Sequence, residues 1–583
     1  MRNKIENNVK INKYSVWVLD EKDKFVYSEG QFYEQYLEKV FLKATDLSSN
    51  SYELERYIKD WSSEYHLSRK RSQLLRGFDF NNIKKVLEVG CGCGAITRFL
   101  GETFEDVLAI EGSEIRARLA RLRTKNMDNV SIICAPFQEI KFKNKFDIIF
   151  CIGVFEYSNL YVNAVDPYDF VLEYFHDILT PDGIIVIAIE NQFGLKYFSS
   201  SSEDHTGIMF DGLEGYPRYS NRERTFGYDE LKRKLSKYFK DIKLFFPYPD
   251  YKIPSCIFSE KAFDNIKLGE IIGTFQPRDY MGTRKPLFNE KLVLLELDKN
   301  NKLTFFANSF LVFAGKHNTM SIKFNYMGLM YSNNRLEKYH TVTQIVEHKE
   351  RGIRVKKIHK YDQKRSESEK LILNPQEKEW IDQLSLYMQI MKRIKEENIT
   401  IEELFKPCKI WLQKLESFSS VHLGRFMIDG KHVDSIWGNT FIKNSECYFI
   451  DDEFIWHEKI AINVLIIKSV YNLLYDIRNM NDLRFPLNLN STKKSIRIIA
   501  ESFGIKLKRK DFKEFCKIES EIAHIVYGAN TQRSTFYINL LLFNKTIFIW
   551  LEKINKWYKN VFRILHTKMY VILEKIGPRI SVE

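Results

Sequence analysis

The sequence predicts an α/β fold over residues 80–260, a doubly wound sheet of parallel strands with helices on both faces. Three observations predict it: a short apolar strand runs into a glycine-rich loop and a helix, an acid closes the next strand about twenty residues on, and further strand-like runs alternate with helical ones. At 583 residues the chain exceeds what one core serves, so several domains are expected.

Residues 1–79 read as an N-terminal helical cap. Their start, MRNKIENNVKINKYS, is polar and has no apolar leader segment. Glu64-Tyr65-His66-Leu67-Ser68 and the run Arg71, Leu74, Leu75, Arg76 stand just before the first strand of the sheet. Ile83 to Gly101 reads IKKVLEVGCGCGAITRFLG: a strand (Val86, Leu87, Val89), a loop (Gly90, Gly92, Gly94), then a helix with Ile96, Phe99 and Leu100 at helical spacing. Glycines there let the backbone turn tightly and approach a ligand, with helix N–H groups facing it. Val107 to Ile110 is the second strand, and Glu111 at its end can accept hydrogen bonds from both hydroxyls of a ribose. Val130 to Cys134 and Phe146 to Phe150 are the third and fourth strands, the latter entering Gly153-Val154-Phe155-Glu156-Tyr157. Leu179-Thr180-Pro181-Asp182-Gly183 turns into the fifth, Ile184 to Ile189.

The pattern E-x-G-x-G-x-G (Glu88, Gly90, Gly92, Gly94), the acid Glu111 and the FDIIF strand resemble class I S-adenosylmethionine methyltransferases. The phosphate-binding loop G-x-G-x-x-G of nicotinamide dehydrogenases does not stand here. The resemblance implies S-adenosyl-L-methionine as cofactor, with Glu88, Gly90, Cys91, Gly92 and Gly94 flanking the methionine moiety. It implies Glu111 on the ribose and the Ala135-Pro136-Phe137 turn near adenine. A sulfonium is already a reactive electrophile, so such an enzyme mainly aligns an acceptor; a hydroxyl acceptor benefits from a base, whereas a phosphate or carboxylate oxygen does not.

Polar residues crowd the end of the fifth strand: Glu190-Asn191-Gln192 and then Glu203-Asp204-His205-Thr206-Gly207. Acceptor groups are expected there, with His205 or Glu190 as base and a polar surface loop with a structural histidine as the alternative. Phe246 to Pro254, FPYPDYKIP, either packs the domain edge or lines the acceptor pocket. EYHLS, GCGCGAITRFLG, IENQFGLKYF, EDHTG and YPDYKIP together resemble a bacterial methyltransferase subgroup associated with cell-surface polysaccharide assembly. That resemblance implies a glycan or lipid-linked glycan acceptor.

Residues 261–495 change pattern. Leu292 to Leu297, Leu303 to Phe313 and Thr341 to Ile358 are strand-like, with a turn at Glu350-Arg351-Gly352; Trp380 to Ile394 and Ile401 to Phe418 are helical. Asp434 and Asn439 then match H-x-D-x-x-x-x-N, in which Asp takes the acceptor hydroxyl proton and Asn binds a metal ion. Asp451, in Ile450-Asp451-Asp452-Glu453, is placed to hold a metal bridging nucleotide phosphates, and Lys357, with Lys356 as alternative, to contact them. The motif resembles kinase-like small-molecule kinases and predicts a two-lobed α+β domain using ATP and Mg2+, with Asp434 catalytic and Asn439 and Asp451 as metal ligands. No G-x-G-x-x-G loop precedes Lys357. The order of domains resembles bifunctional kinase–methyltransferases that terminate bacterial O-antigen chains.

Residues 496–583 read as a helical tail. Ile547, Leu551, Ile554, Tyr558, Val561 and Leu565 alternate steps of four and three beside Lys545, Lys553, Lys556, Lys559, Arg563 and Lys568. A coiled coil making a homo-oligomer, a basic amphipathic helix on anionic lipid, and a helix packed on its own protein all remain open. No run reaches the ~18 apolar residues of a membrane span. The eight cysteines have no paired spacing, which suits a reducing, cytoplasmic compartment, at the inner face of the membrane if the tail binds lipid. A net charge of +13 admits a nucleic-acid partner. Against that, Gly153-Val154-Phe155-Glu156 stands where methyltransferases of base amino groups carry N/D-P-P-Y/F.

Overall fold

A computed structural model describes residues 4–19, 31–218, 222–282, 284–317, 321–359, 370–477, 492–529 and 531. The chain divides into two compact units, the first comprising Met1–Asn333, His340–Lys360 and Glu377–Asp382, the second the remainder.

The first unit is built on one sheet. Its strands are β1 (Val9–Ile11), β2 (Trp17–Leu19), β3 (Lys85–Val89), β4 (Asp106–Glu111), β5 (Val130–Cys134), β6 (Phe146–Ile152), β7 (Leu179–Glu190), β8 (Asp241–Tyr248), β9 (Cys256–Ser259), β10 (Ser309–Gly315), β11 (Gly328–Tyr331), β12 (Thr341–His348), β13 (Gly352–His359) and, past β14 (Leu371–Leu373) of the other unit, β15 (Glu377–Glu379). The order is β1-β2-β5-β4-β3-β6-β7-β10-β8-β9-β11-β12-β13-β15. From β5 to β7 neighbouring strands run parallel, and between β3 and β6 the order reverses. That reversal opens a crevice beyond the strand carboxyl ends, where Gly90, Gly92, Gly94 and Glu111 stand.

Central strands bury both faces, so their sequences are nearly unbroken apolar runs. Along β7, Ile185, Ile187 and Ile189 pack into one core, and Ile184, Val186 and Ala188 into the other. Helices cover each face. Ala95–Thr103 buries Ile96, Phe99 and Leu100, while Pro167–Ile178 starts on Asp166, whose carboxylate accepts the Tyr168 and Asp169 N–H groups. Such a cap contributes about 1 kcal/mol. The N-terminal region forms a β1–β2 hairpin, β2 lying parallel to β5, and then helices that pack Leu37, Phe41, Leu54 and Leu67 around Cys93 and Leu119.

The sheet does not stop at residue 260. β10 pairs antiparallel with β7 on one side and β8 on the other, and all its residues are buried. β9 and β11–β13 carry the same sheet onward, so the expected boundary falls inside one hydrogen-bonded layer. Leu292–Leu297 was expected to be a strand but belongs to the helix Glu290–Lys299, capped by Asn289. A short apolar run does not distinguish the two states by periodicity. Thr341–Ile358 folds as the expected hairpin, β12 against β13.

The second unit holds the helices Leu386–Arg393, Cys408–Ser417, Ile462–Ile477 and Arg509–Tyr527. Its short strands are β16 (Ser420–His422), β17 (Arg425–Ile428), β18 (Thr440–Lys443), β19 (Glu446–Phe449), β20 (Phe454–Trp456) and β21 (Ile460–Ala461). The heptad-like stretch at 545–568 lies outside the described residues. Among the described residues no helix is long and apolar enough to cross a membrane.

Candidate active site

β3 delivers the chain into a loop in which Gly90, Gly92 and Gly94 have φ of +73°, +53° and +84°. Side chains rarely adopt this left-handed region. Space also excludes them: a Cβ at Gly90 would overlap Val154, and one at Gly94 would lie 2.9 Å from Ala120 Cα. The Gly90 and Cys91 N–H groups donate to Ile110 O, each at 2.9 Å, which ties the loop to β4. At the end of β4, Glu111 accepts the Gly92 N–H at 2.8 Å and the Ser113 N–H at 3.0 Å. Cys91 is buried, and burial pushes its thiol well above the usual range, so it is a wall and not a nucleophile. Half-buried Phe137 follows β5, its ring 5.9 Å from Tyr174 and 5.8 Å from Phe175.

Glu88 sits beneath this loop, 3% exposed, with Oε2 hydrogen-bonded to no described residue. Burial pushes its carboxyl up to about 8; Thr97 opposes this and the charge of Glu111 adds to it. A buried acid with one oxygen unpartnered, below a cradle that admits only glycines, fits the cationic methionine end of S-adenosylmethionine, and Glu111 is placed for the ribose.

Beyond the carboxyl ends of β6 and β7 lies a buried charged cluster. Glu190, the last residue of β7, is fully buried. Its Oε1 accepts the Tyr251 hydroxyl at 3.3 Å and pairs with the Lys252 ammonium, while Oε2 lies 3.3 Å from His205 Nε2. Burial alone would raise this carboxyl, but Lys252 and His205 hold it well below its ordinary range. Burial likewise opposes charge on His205, yet Glu190 wins and sets it at about 10. The loop carrying His205 is pinned because Glu203 accepts the His205 and Thr206 N–H groups at 2.7 and 2.6 Å. Lys252 also meets Asp204 at 2.5 Å, and Asp204 accepts the buried Lys196 ammonium at 2.9 Å. The Lys252 segment is braced from β10, whose Ser309 Oγ accepts the Tyr251 N–H at 2.9 Å.

Glu156, four residues past the end of β6, completes the cluster. It is fully buried and neither carboxyl oxygen has a hydrogen-bond partner among the described residues. Burial, then the charge of Glu190, pushes it up to about 8. The structure therefore brings Glu190 and His205 together, but as an ion pair. His205 holds its proton at neutral pH and is not a free base; the group able to exchange one is Glu156. Sequence reasoning assigned no role to Glu156, Tyr251 or Lys252. Their only signal was position: Glu156 just past a strand end, the other two in the aromatic proline stretch.

The remaining predicted residues separate. Lys357 lies on β13, opposite Thr343 of β12, in the first unit, whereas Asp434, Asn439 and Asp451 lie in the second. A single 261–495 domain does not hold them, because backbone pairing commits β13 to the large sheet. Within the second unit Asn439 Nδ2 donates to the Asp434 carbonyl and the Lys468 ammonium meets Asp434 Oδ1, both at 2.9 Å. The β18–β19 hairpin follows Asn439 directly, and Asp451, two residues past β19, has a φ of +56°.

Comparison with known proteins matches residues 87–187 to the methyltransferase domain family. The ribosomal RNA small subunit methyltransferase A of Mycoplasma capricolum subsp. capricolum is 25% identical over 249 residues, 42% of this chain and 82% of that protein. The malonyl-[acyl-carrier protein] O-methyltransferase of Bacillus anthracis is 28% identical over 140 residues, and this chain spans about half of its length (47%). Among solved structures, the N-methyltransferase NodS of Bradyrhizobium japonicum WM9 with S-adenosyl-l-homocysteine aligns with 14% identity and a TM-score of 0.24, over 49% of this chain and 98% of that one. The family match runs from β3 to β7 and so covers the glycine cradle, Glu111 and Glu156: this chain carries a class I S-adenosyl-L-methionine-dependent methyltransferase domain.

Proposed function

We propose that the chain methylates an oxygen of a sugar or sugar phosphate during synthesis of a cell-surface polysaccharide. The observation that carries the chemistry is Glu156, a buried carboxyl without a partner, beside the Glu190–His205 pair at the crevice of the parallel sheet. S-adenosylmethionine supplies a sulfonium-activated methyl group. Glu156 takes the acceptor hydroxyl proton onto a carboxylate oxygen, with a proton affinity suited to neutral pH. The ion pairs of Glu190 with Lys252 and His205 hold the walls of the acceptor pocket, and Tyr251 shields them from water. The five segments that resemble the polysaccharide subgroup support the choice of acceptor.

The test is incubation with radiolabelled S-adenosylmethionine and a lipid-linked glycan extract, with and without ATP. Label is expected in glycan, and Glu156→Gln is expected to lower it by about 10²–10⁴-fold while leaving cofactor binding intact. Label in RNA added to the same extract, with none in glycan, would replace this reading by the one that the RNA methyltransferase relative and the net charge favour.

The second unit is read as kinase-like, acting with ATP and Mg2+ on the same glycan end. The Asn439–Asp434 contact, the hairpin directly after Asn439 and the left-handed Asp451 support this. Label that requires ATP would tie the two activities together. The tail at 545–568 is read as a lipid-binding or oligomerising helix.

A further inference from the structure

We infer that Glu156, Glu190 and His205 form a divalent-cation site in the acceptor pocket, an inference that rests on reading this cluster as the acceptor site. One ligand atom from each lies within 4.8 Å of the others. The 3.3 Å between His205 Nε2 and Glu190 Oε2 is close to the ~3 Å between adjacent ligands of an octahedral ion with bonds of ~2.1 Å.

Two further observations point to an ion rather than to a plain acidic cluster. First, Glu156 is fully buried and its two carboxyl oxygens have no protein partner, a costly arrangement that a bound cation relieves. Second, the outward atoms of the other two groups are already engaged. His205 Nδ1 lies 3.3 Å from the Tyr157 hydroxyl, and Glu190 Oε1 accepts from Tyr251 and Lys252, so Nε2 and Oε2, paired only with each other at 3.3 Å, are the atoms a cation would take in place of the proton between them. Outer contacts of this kind orient metal ligands. One nitrogen and two carboxylate oxygens suit Mn2+, Mg2+ or Zn2+ rather than a soft ion. Three protein ligands leave coordination positions open to acceptor oxygens, and a hydroxyl held there gives up its proton more readily.

The experiment titrates Mn2+ alone into the full chain carrying Asn439→Ala and Asp451→Ala, which remove the two candidate metal ligands of the second unit, and follows the free-Mn2+ electron paramagnetic resonance signal. One Mn2+ per chain is expected, bound at least about 10-fold more weakly after Glu156→Gln and after His205→Gln. Thermal melts of the metal-free variants identify any that fail to fold; the surviving one then decides. No bound Mn2+, or affinity unchanged in a folded variant, overturns the site. Methyl transfer to glycan by chelator-treated protein that binds no Mn2+ sinks the cation site alone. Bound Mn2+ without methyl transfer to any glycan sinks the proposed acceptor alone.

Discussion

Glu88 and Glu156 are both buried carboxyls pushed up to about 8, and both face the crevice from strand ends. For Glu88 the consequence is a pH dependence with a definite sign. In the unfolded chain it ionises near its ordinary value of 4.5, whereas the folded protein keeps the proton until about 8. Between these values the folded state binds more protons, so stability falls as pH rises through the window and levels off above it. Glu88→Gln is expected to flatten that part of the melting-temperature profile between pH 5 and 8.5; an unchanged slope would show that Glu88 ionises normally. Glu88 and Glu111 were legible in the sequence because backbone turn, glycines and acids all lie within one β-α-β stretch. Glu156 was not, because an unpartnered acid is defined by what fails to surround it, and that is a property of packing.

Elements show the same division. The strands β3 to β7 were legible from apolar runs, since burial on both faces leaves little else in their sequences. β10 was read as strand-like but not placed, because nothing local in Ser309–Gly315 says that it inserts between β7 and β8. Its placement predicts that a fragment of residues 1–260 does not fold: the β7 edge and β8 both lose their hydrogen-bonded partner and apolar cover. A fragment of residues 1–382, which retains β10 and the rest of the sheet, is expected to bind S-adenosylmethionine with the affinity of the full chain. Circular dichroism and calorimetry on the two fragments check this, and full cofactor affinity in 1–260 would contradict it.

For the whole molecule, the division into two units separates two sets of predicted residues. The glycine cradle, Glu111 and the Glu156 cluster share one unit, and Asp434, Asn439 and Asp451 the other. Each unit has apolar helices or strands of its own to bury, for example Val464, Leu465, Ile466 and Ile467 in the helix Ile462–Ile477. On the proposed kinase-like reading of the second unit, Asp451→Ala is expected to abolish binding of magnesium-ATP and to change S-adenosylmethionine affinity by no more than about twofold. A large loss of cofactor affinity in that variant would mean that the two units act as one.

What the sequence alone determined was the cofactor cradle and the strands beneath it. Those features follow from short-range rules: glycines for left-handed turns, an acid at a strand end, apolar runs for buried strands. The tertiary structure decided the buried charged cluster beyond β6 and β7. Glu156, Glu190, His205 and Lys252 come from separate strand ends and loops, with Tyr251 reaching Glu190 across 61 residues. Their proton affinities depend on shared burial and mutual charge, which exist only once the sheet has closed around them.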